Sequence, residues 1–229
     1  MPITSITPVR RENIRDVILD GCERALAAHG YRRMTMEDVA EAARLSRRTV
    51  YLHFANKEAL VAATMDKVVA GTQEAMREPL RNGTGLESLR GMLMARILHR
   101  LGQVGPYHSS FEEIWQALYP HTTEDYVSYF APEVELIVAA LKKGRADGSI
   151  VQGHDPRALA EVLVRGTNGF MPSNFSRAEV ATREPVRRKL EIFVDMICRG
   201  LASSPAARNP DARLRAAPAG RRARTRSKR

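Results

Sequence analysis

Residues 34–60 read MTMEDVAEAARLSRRTVYLHFANKEAL, and the spacing in this stretch predicts two short helices joined by a tight turn. Thr35 is expected to begin the first of these helices, with Asp38 completing a capping box. Ser46 is expected to cap the second, since serine is a favoured N-cap residue. A turn of three to four residues between two short helices is typical of a helix-turn-helix.

The second of these helices is basic and polar on one side. Four basic residues and no acid lie in the segment 44–57, namely Arg44, Arg47, Arg48 and Lys57. Val50 and Phe54 are four residues apart and are predicted to point inward, which leaves Tyr51 and the arginines outward. Arginine can donate two hydrogen bonds to guanine, and a threonine methyl can contact thymine. The pattern therefore favours a helix that reads the major groove of DNA, although charge alone also allows a solvated basic face.

The chain before this pair predicts one further helix. From Asn13 to His29 the apolar residues repeat at helical spacing, and Gly30 follows where a helix C-terminus favours glycine. We therefore expect a three-helix head within residues 1–60, preceded by a flexible arm over 1–9.

The order of residues in the head resembles the DNA-binding domain of the TetR family of bacterial transcriptional regulators. In that family a threonine opens the second helix, a Ser-x-x-Thr-hydrophobic-Tyr-x-His-Phe run follows, and Lys-Glu-x-Leu opens the fourth helix. The same residues occur here at Thr35, at 46–54 and at 57–60. The resemblance covers about 50 residues, from 14 to 63. Two positions depart from it: Arg48 stands where glycine or alanine is frequent, and Val50 where leucine or isoleucine is commoner.

The resemblance implies that seven residues contact DNA, some at phosphates and others at bases. It implies phosphate contacts from Thr35, Tyr51, His53 and Lys57. It implies base contacts from Arg47, Arg48 and Thr49. For His53, packing beneath Tyr51 at the end of the helix is the alternative interpretation.

Residues 61–202 are predicted to form a helical body. Apolar stripes of helical period recur along this segment, and we see no convincing strand, internal repeat or glycine-rich phosphate loop. We expect an all-α fold of about nine helices, in which a long fourth helix begins after Asn56 and leaves the head. Pro132 is predicted to kink its helix rather than divide it, because the stripe keeps its phase. The last helix is expected to cover about 182–201.

The last two helices of the body are candidates for a dimer interface. In TetR-like proteins this pair builds a four-helix interface, and the resemblance implies the same here; the alternative is that both stripes close the monomer core. The candidate interface residues are Leu159, Val162, Gly166, Val186, Leu190, Phe193, Val194 and Ile197.

The middle helices concentrate the aromatic residues and could line an apolar small-molecule pocket. The candidate lining residues are Met94, Phe111, Trp115, Tyr119, Tyr126 and Phe130, of which Trp115 is the strongest single candidate. Aromatic residues on helical faces also belong commonly to a core. We find no buried charge pattern in the sequence that would identify the ligand.

The net charge of +10 is unevenly distributed. Residues 203–229 hold nine basic residues and one acid, a charge of +8, which leaves +2 for the other 202 residues. We expect this Arg-rich tail to be disordered, because it cannot bury apolar surface. Its charge also raises an alternative function, that of a nonspecific or architectural binder of nucleic acid.

Several classes of protein are not favoured by the sequence. No run approaches 18 apolar residues, and the N-terminus has no signal-peptide pattern, so we expect a cytoplasmic protein. The six histidines lack the spacing of metal ligands, and no catalytic or cofactor motif stands out, so we expect no enzyme, no cofactor and no metal. Cys22 and Cys198 are expected to be reduced thiols.

These patterns lead to one functional hypothesis. The chain is expected to be a sequence-specific transcriptional regulator, a repressor that binds a palindromic operator in double-stranded DNA as a homodimer. A small apolar effector of unknown identity is expected to release it.

Overall fold

The structure is a computed structural model that describes residues 13–118 and 123–203, without the side chains of residues 123–128. The predicted arm over 1–9, Tyr119, the side chain of Tyr126 and the tail beyond Ser203 lie outside the described residues. The α-helices are α1 (Ile14–Arg33), α2 (Met36–Ala43), α3 (Arg47–His53), α4 (Lys57–Arg81), α5 (Gly85–Val104), α6 (Phe111–Leu118), α7 (Thr123–Ala146), α8 (Pro156–Thr167), α9 (Arg177–Thr182) and α10 (Glu184–Leu201). Short 3-10 helices cover Gly105–Ser110, Asn168–Phe170 and Pro172–Asn174.

The predicted all-α architecture is confirmed. The only β-type pairing within the described ranges is an isolated antiparallel bridge between Ile150 and Ala202. None of the helices in those ranges combines the length and apolar character that a membrane span requires.

Local capping sets the starts of the helices in the head, as predicted. The Thr35 hydroxyl accepts from the backbone N–H of Asp38 at 3.2 Å, and the Asp38 carboxylate accepts from the N–H of Thr35 at 2.8 Å. The Ser46 hydroxyl accepts from the N–H of Thr49 at 3.1 Å. The Asn56 side chain caps α4 in the same way. Because each cap satisfies free backbone donors at a helix N-terminus, these residues fix where α2, α3 and α4 begin.

Two residues with positive φ shape the turns of the head. Gly30 has φ 73° and ends the regular part of α1, where the sequence predicted the helix to stop; one more turn then continues to Arg33. Arg44 has φ 56° and ψ 40°, a left-handed conformation that ends α2 and opens the turn to α3. The turn of the helix-turn-helix therefore rests on a non-glycine residue in a sparsely populated conformation.

The body is built around α5, which packs against α4, α7 and α10. Its apolar face is fully buried, as Leu89, Leu93 and Ile97 illustrate at 0% exposure. Pro132 lies inside α7, which runs without a break, so this proline does not divide the helix.

The last helix predicted from the sequence, over about 182–201, corresponds to α10, and the short helix α9 before it was not predicted. Arg183, with φ 60°, separates α9 from α10. Pro185 lies in the first turn of α10, where the missing N–H of proline is tolerated, and it could not have continued α9 as an interior residue.

Candidate functional site

The outer face of α3 presents polar and basic side chains to solvent. Val50 and Phe54 are buried in the head core, as predicted from their spacing. The opposite face leaves Arg47, Arg48 and Tyr51 exposed. The helix is therefore held to the head by its inner face, and its first two turns are free to meet another molecule.

Arg47 is held between α2 and α3. Its Nη1 lies 2.5 Å from Oε1 of Glu37, and its guanidinium carbon lies 5.4 Å from the centre of the Tyr51 ring. A hydrogen bond with Tyr51 and then the charge of Glu37 raise the pKa of Arg47. The side chain remains 62% exposed, so this arrangement orients a charged guanidinium at the surface.

The other candidate contact residues differ in how far they are already engaged. Lys57 donates from Nζ to the backbone carbonyl of Tyr31 at 3.1 Å and lies over the ring of the same tyrosine. The Thr49 hydroxyl is 2.8 Å from that of Ser46, and Thr49 is half-buried. Thr35 is exposed, but its hydroxyl is engaged in the capping box. His53 is exposed at the end of α3.

Sequence reasoning passed over one residue of this face. Leu52 is 74% exposed, between Tyr51 and His53. A large apolar side chain so exposed on a polar helix is a candidate contact in its own right, since an apolar group can meet a thymine methyl. Its place two residues after the predicted inward Val50 was the signal available in the sequence.

A cavity of about 140 Å³ lies in the body between α6, α7 and the segment that follows α8. Its wall is formed by Arg100, Phe111, Glu112, Trp115, Tyr129, Phe130, Asn168, Met171, Ser173 and Asn174. The Trp115 ring lies edge-to-face on Tyr129 at 5.0 Å and stacked on Phe130 at 6.1 Å. Of the candidates named from the sequence, Phe111, Trp115 and Phe130 therefore come together at one site. Met94 is not part of this wall and packs against the body core.

A buried ion cluster lies behind the cavity, and it was not identified from the sequence. Nε of Arg96 lies 2.6 Å from Oε2 of Glu133, and Arg100 pairs with Oε1 of the same carboxylate. Arg96 also donates to the Thr167 hydroxyl at 2.8 Å and to Asn168 Oδ1 at 2.6 Å. Burial opposes ionisation of Glu133, but the charges of Arg100 and Arg96 lower its pKa, so the carboxylate is ionised.

The cavity and the head share structural elements. On α6, Trp115 lines the cavity, whereas Ile114 is buried in the hydrophobic cluster of the head. Glu113 lies 3.1 Å from Nε of Arg32 at the end of α1. The backbone N–H of Tyr31 donates to the hydroxyl of Ser110 at 3.0 Å, just before α6. A displacement of α6 would therefore disturb its contacts with α1.

The candidate dimer residues divide into two groups. Val186, Leu190 and Val194 are at 0% exposure and belong to the core of the chain itself. Val162 on α8 is 63% exposed, and Leu159, Phe193 and Ile197 are half-buried. Gly166 lies against Phe193, whose ring would be 3.2 Å from a Cβ at that position.

Two further apolar residues of α10 extend the exposed face. Ile192 is 64% exposed and Met196 is 67% exposed, one helical turn apart. The candidates named from the sequence lie on the adjacent stripe of α10, where Val186, Leu190 and Val194 are buried. Within the described ranges, no group of three or more potential metal ligands is present.

Comparisons with known proteins show that this chain is similar to bacterial regulators. The family described as bacterial regulatory proteins, tetR family, matches residues 18–64. The HTH-type transcriptional repressor AcnR of Corynebacterium efficiens is 38% identical over 81 residues, 35% of this chain and 41% of that protein. The A-factor receptor protein of Streptomyces griseus is 26% identical over 164 residues, 67% of this chain and 52% of that protein. The matched regions thus span only about half of these relatives or less.

The fold as a whole also has solved counterparts. SmeT, the repressor of the Stenotrophomonas maltophilia multidrug efflux pump SmeDEF, superposes with a TM-score of 0.62 at 22% identity, covering 85% of this chain and 93% of SmeT. At that identity the likeness concerns the fold, and it extends from the head through the body.

Proposed function

Because this chain belongs to the TetR family of bacterial regulatory proteins, we propose that it is a homodimeric transcriptional repressor that binds a palindromic operator and is released by a small molecule. AcnR, which is 38% identical to this chain over 81 residues, is named a transcriptional repressor. The body cavity is the proposed effector site, and no catalytic role is proposed.

The observation that carries the proposal is the exposed face of α3. Arg47 and Arg48 project from its first turn, and an arginine there can pair with guanine through two hydrogen bonds. Thr49 is proposed as the third base contact. Thr35, Tyr51, His53 and Lys57 surround this face and are proposed to contact phosphates, which position the helix in the groove.

Dimerisation is proposed through the exposed apolar face of α8 and α10. A single helix-turn-helix reads too few base pairs, so proteins with this motif bind two half-sites as dimers. Val162, Ile192 and Met196 are large apolar side chains, each more than 60% exposed in the monomer. Large apolar side chains exposed on two helices support an interaction site here, and Gly166 would let the helices approach closely.

Release is proposed to pass from the cavity to the head through α6, together with a tilt of α4. Trp115 and Ile114 are neighbours on α6, and one lines the cavity while the other lies in the head core. A ligand that moves α6 would shift α1 through the Glu113–Arg32 ion pair and the Ser110–Tyr31 hydrogen bond. The spacing of the two heads would then no longer match successive major grooves. This requires that the ligand bind the two states with unequal affinity.

The experiment that tests DNA reading begins with in vitro selection of duplexes by the full-length protein. The selected duplex and a scrambled one are then titrated with the wild type and with Arg47→Ala. Loss of a bidentate base contact should cost about 1–3 kcal/mol on the selected duplex only. Arg77→Ala is the matched control, because Arg77 lies on α4 and pairs only with Glu74. The proposal fails if the selected duplexes show no palindromic preference, or if Arg47→Ala lowers the affinity for both duplexes equally.

The tail supports a second candidate, the nonspecific binder of nucleic acid. Its charge of +8 would release counterions on contact with phosphates. A chain ending at Ser203 keeps the hydrogen bond from the N–H of Ser203 to the carbonyl of Ser149, and so separates the two candidates. If the tail drives binding, its deletion should abolish affinity for both duplexes. If α3 drives DNA binding, deletion of the tail should mainly make the affinity for DNA less dependent on salt concentration.

A further inference from the structure

We propose that Leu52 of α3 determines sequence specificity by contacting the C5-methyl group of a thymine in each half-site of the operator. This inference rests on the proposed function, because it takes α3 as the helix that enters the major groove. It goes further by naming the base, and the chemical group on that base, which an apolar side chain would read.

Leu52 is the most exposed large apolar side chain in the part of the chain that the structure describes. Its exposure of 74% exceeds that of Val162, Ile192 and Met196 on α8 and α10. Those three residues are accounted for by the proposed dimer interface, whereas Leu52 belongs to the head. A single exposed leucine is common on protein surfaces, so its meaning depends on its position on the helix.

Helical geometry places Leu52 at the centre of the outward face of α3. Successive residues of an α-helix are rotated by about 100° around its axis. Val50 and Phe54 hold α3 to the head core, and Leu52 lies about 180° from the direction midway between them. Its neighbours Tyr51 and His53 each lie about 100° from it, toward the sides of the helix. When the outward face of α3 enters a groove, Leu52 is therefore the side chain that points most directly at the base edges.

The residues beside Leu52 on this face can read bases as well. Arg48 lies four residues before it and Thr49 three residues before it, spacings at which side chains on a helix are neighbours. Arg48 is exposed and Thr49 is half-buried, and both are proposed base contacts. The centre of the face thus combines a charged donor, a hydroxyl and an apolar side chain.

The chemistry of leucine selects the group that it would contact. Thymine presents the one alkyl group in the major groove, its C5-methyl, whereas the other groups that distinguish the bases there are hydrogen-bond donors and acceptors. Leucine can form no hydrogen bond, so covering a polar base edge with it would cost free energy. Contact with a methyl group instead removes apolar surface of both partners from water. Leu52 should therefore favour thymine over cytosine, which lacks the methyl group.

The test removes this methyl group from the DNA and leaves base pairing unchanged. In vitro selection with the full-length protein gives the preferred duplex, and its thymines are then replaced by deoxyuridine, one at a time. At one thymine of each half-site we expect the affinity of the wild type to fall about fourfold, the scale of burying one methyl group.

Three variants assign the response to one side chain. Leu52→Ala should bind the selected duplex more weakly and should lose the response to deoxyuridine at that position. Leu52→Met keeps an apolar side chain and should retain the response. Thr49→Ser removes the other methyl group of this face and should also retain the response there. Because Leu52 is exposed, Leu52→Ala should unfold at the same denaturant concentration as the wild type.

The outcomes separate this inference from the proposed function. A selected half-site without thymine, or thymines whose replacement leaves the affinity unchanged, would overturn the role of Leu52 and leave DNA reading by α3 intact. An equal response of Leu52→Ala and the wild type would also overturn it, because another residue would then contact the methyl group. If selection gives no preferred sequence, the proposed function and the role of Leu52 both fail.

Discussion

Arg47 on α3 and Glu37 on α2 form an ion pair in which Nη1 and Oε1 are 2.5 Å apart. Both side chains are at least half exposed, so solvent screens the pair and it adds little to stability. Its position matters more than its strength. The acid holds a candidate base-reading arginine in place before DNA arrives, and its own charge would lie close to the phosphates of a bound duplex.

Glu37→Gln should therefore tighten DNA binding. Removing the acid frees Arg47 and removes the repulsion between Glu37 and the phosphates, which does not depend on DNA sequence. The affinity for the selected and the scrambled duplex should therefore both rise, by about twofold to fivefold. Titration of a fluorescent duplex at two salt concentrations measures the effect, which should shrink at the higher one. Glu41→Gln, exposed on the same helix, is the control for lost charge alone. Weaker binding by Glu37→Gln would mean that the acid orients Arg47 usefully.

The packing of α1 on α2 allows almost no space at Gly21. A Cβ at this position would lie 2.7 Å from the Cβ of Ala43 and 3.0 Å from its backbone nitrogen, neither of which can turn aside. Gly21→Ala should therefore destabilise the protein by about 1–3 kcal/mol, measured by denaturant unfolding. Gly169→Ala is the matched control, since a Cβ there meets nothing within 4 Å. Equal unfolding free energies for the two variants would show that the helices separate at little cost.

The exposed face of α10 gives a prediction about assembly. Met196→Glu places a charge in the proposed interface, so it should shift the protein from dimer to monomer in analytical ultracentrifugation and weaken binding to the selected duplex. Monomer stability should change by less than about 0.5 kcal/mol, because the side chain is 67% exposed in the isolated chain. Met196→Leu, which keeps an apolar side chain, should remain dimeric. A Met196→Glu dimer of unchanged strength would place the interface elsewhere.

The sequence predicted features that depend on neighbouring residues. Thr35, Ser46 and Asn56 act as caps within three residues of their partners, and the rules for such contacts are local. The same holds for Gly30, where a turn required a backbone with positive φ. Helical period also identified the long helices, because one buried face is enough to produce a stripe.

What escaped prediction depends on how separate helices meet. Arg96 and Arg100 lie one turn apart on α5, a pattern visible in the sequence, but their partner Glu133 comes from α7. Similarly, Val194 and Met196 belong to neighbouring stripes of α10, and only the position of α5 decides which of them is buried. Periodicity establishes that a helix has an apolar face. Which polar side chains are buried beside that face depends on the helix that packs against it.

Glu133 should make the stability of the body sensitive to acid. The charges of Arg100 and Arg96 overcome the effect of burial and lower its pKa in the folded protein. Its contribution to stability is therefore complete above its ordinary pKa of 4.5 and is lost as the pH falls through the lowered value. Glu133→Gln, which removes the carboxylate that Arg96 and Arg100 share, should cost about 3–5 kcal/mol near neutral pH. Its unfolding free energy should also fall less steeply below about pH 4.5 than that of the wild type.

Glu135→Gln is the control, because Glu135 is exposed on the same helix and pairs with Arg157 at the surface. Parallel curves for the wild type and Glu133→Gln in urea unfolding between pH 7 and pH 3 would show that the cluster is not held together by an ionised Glu133.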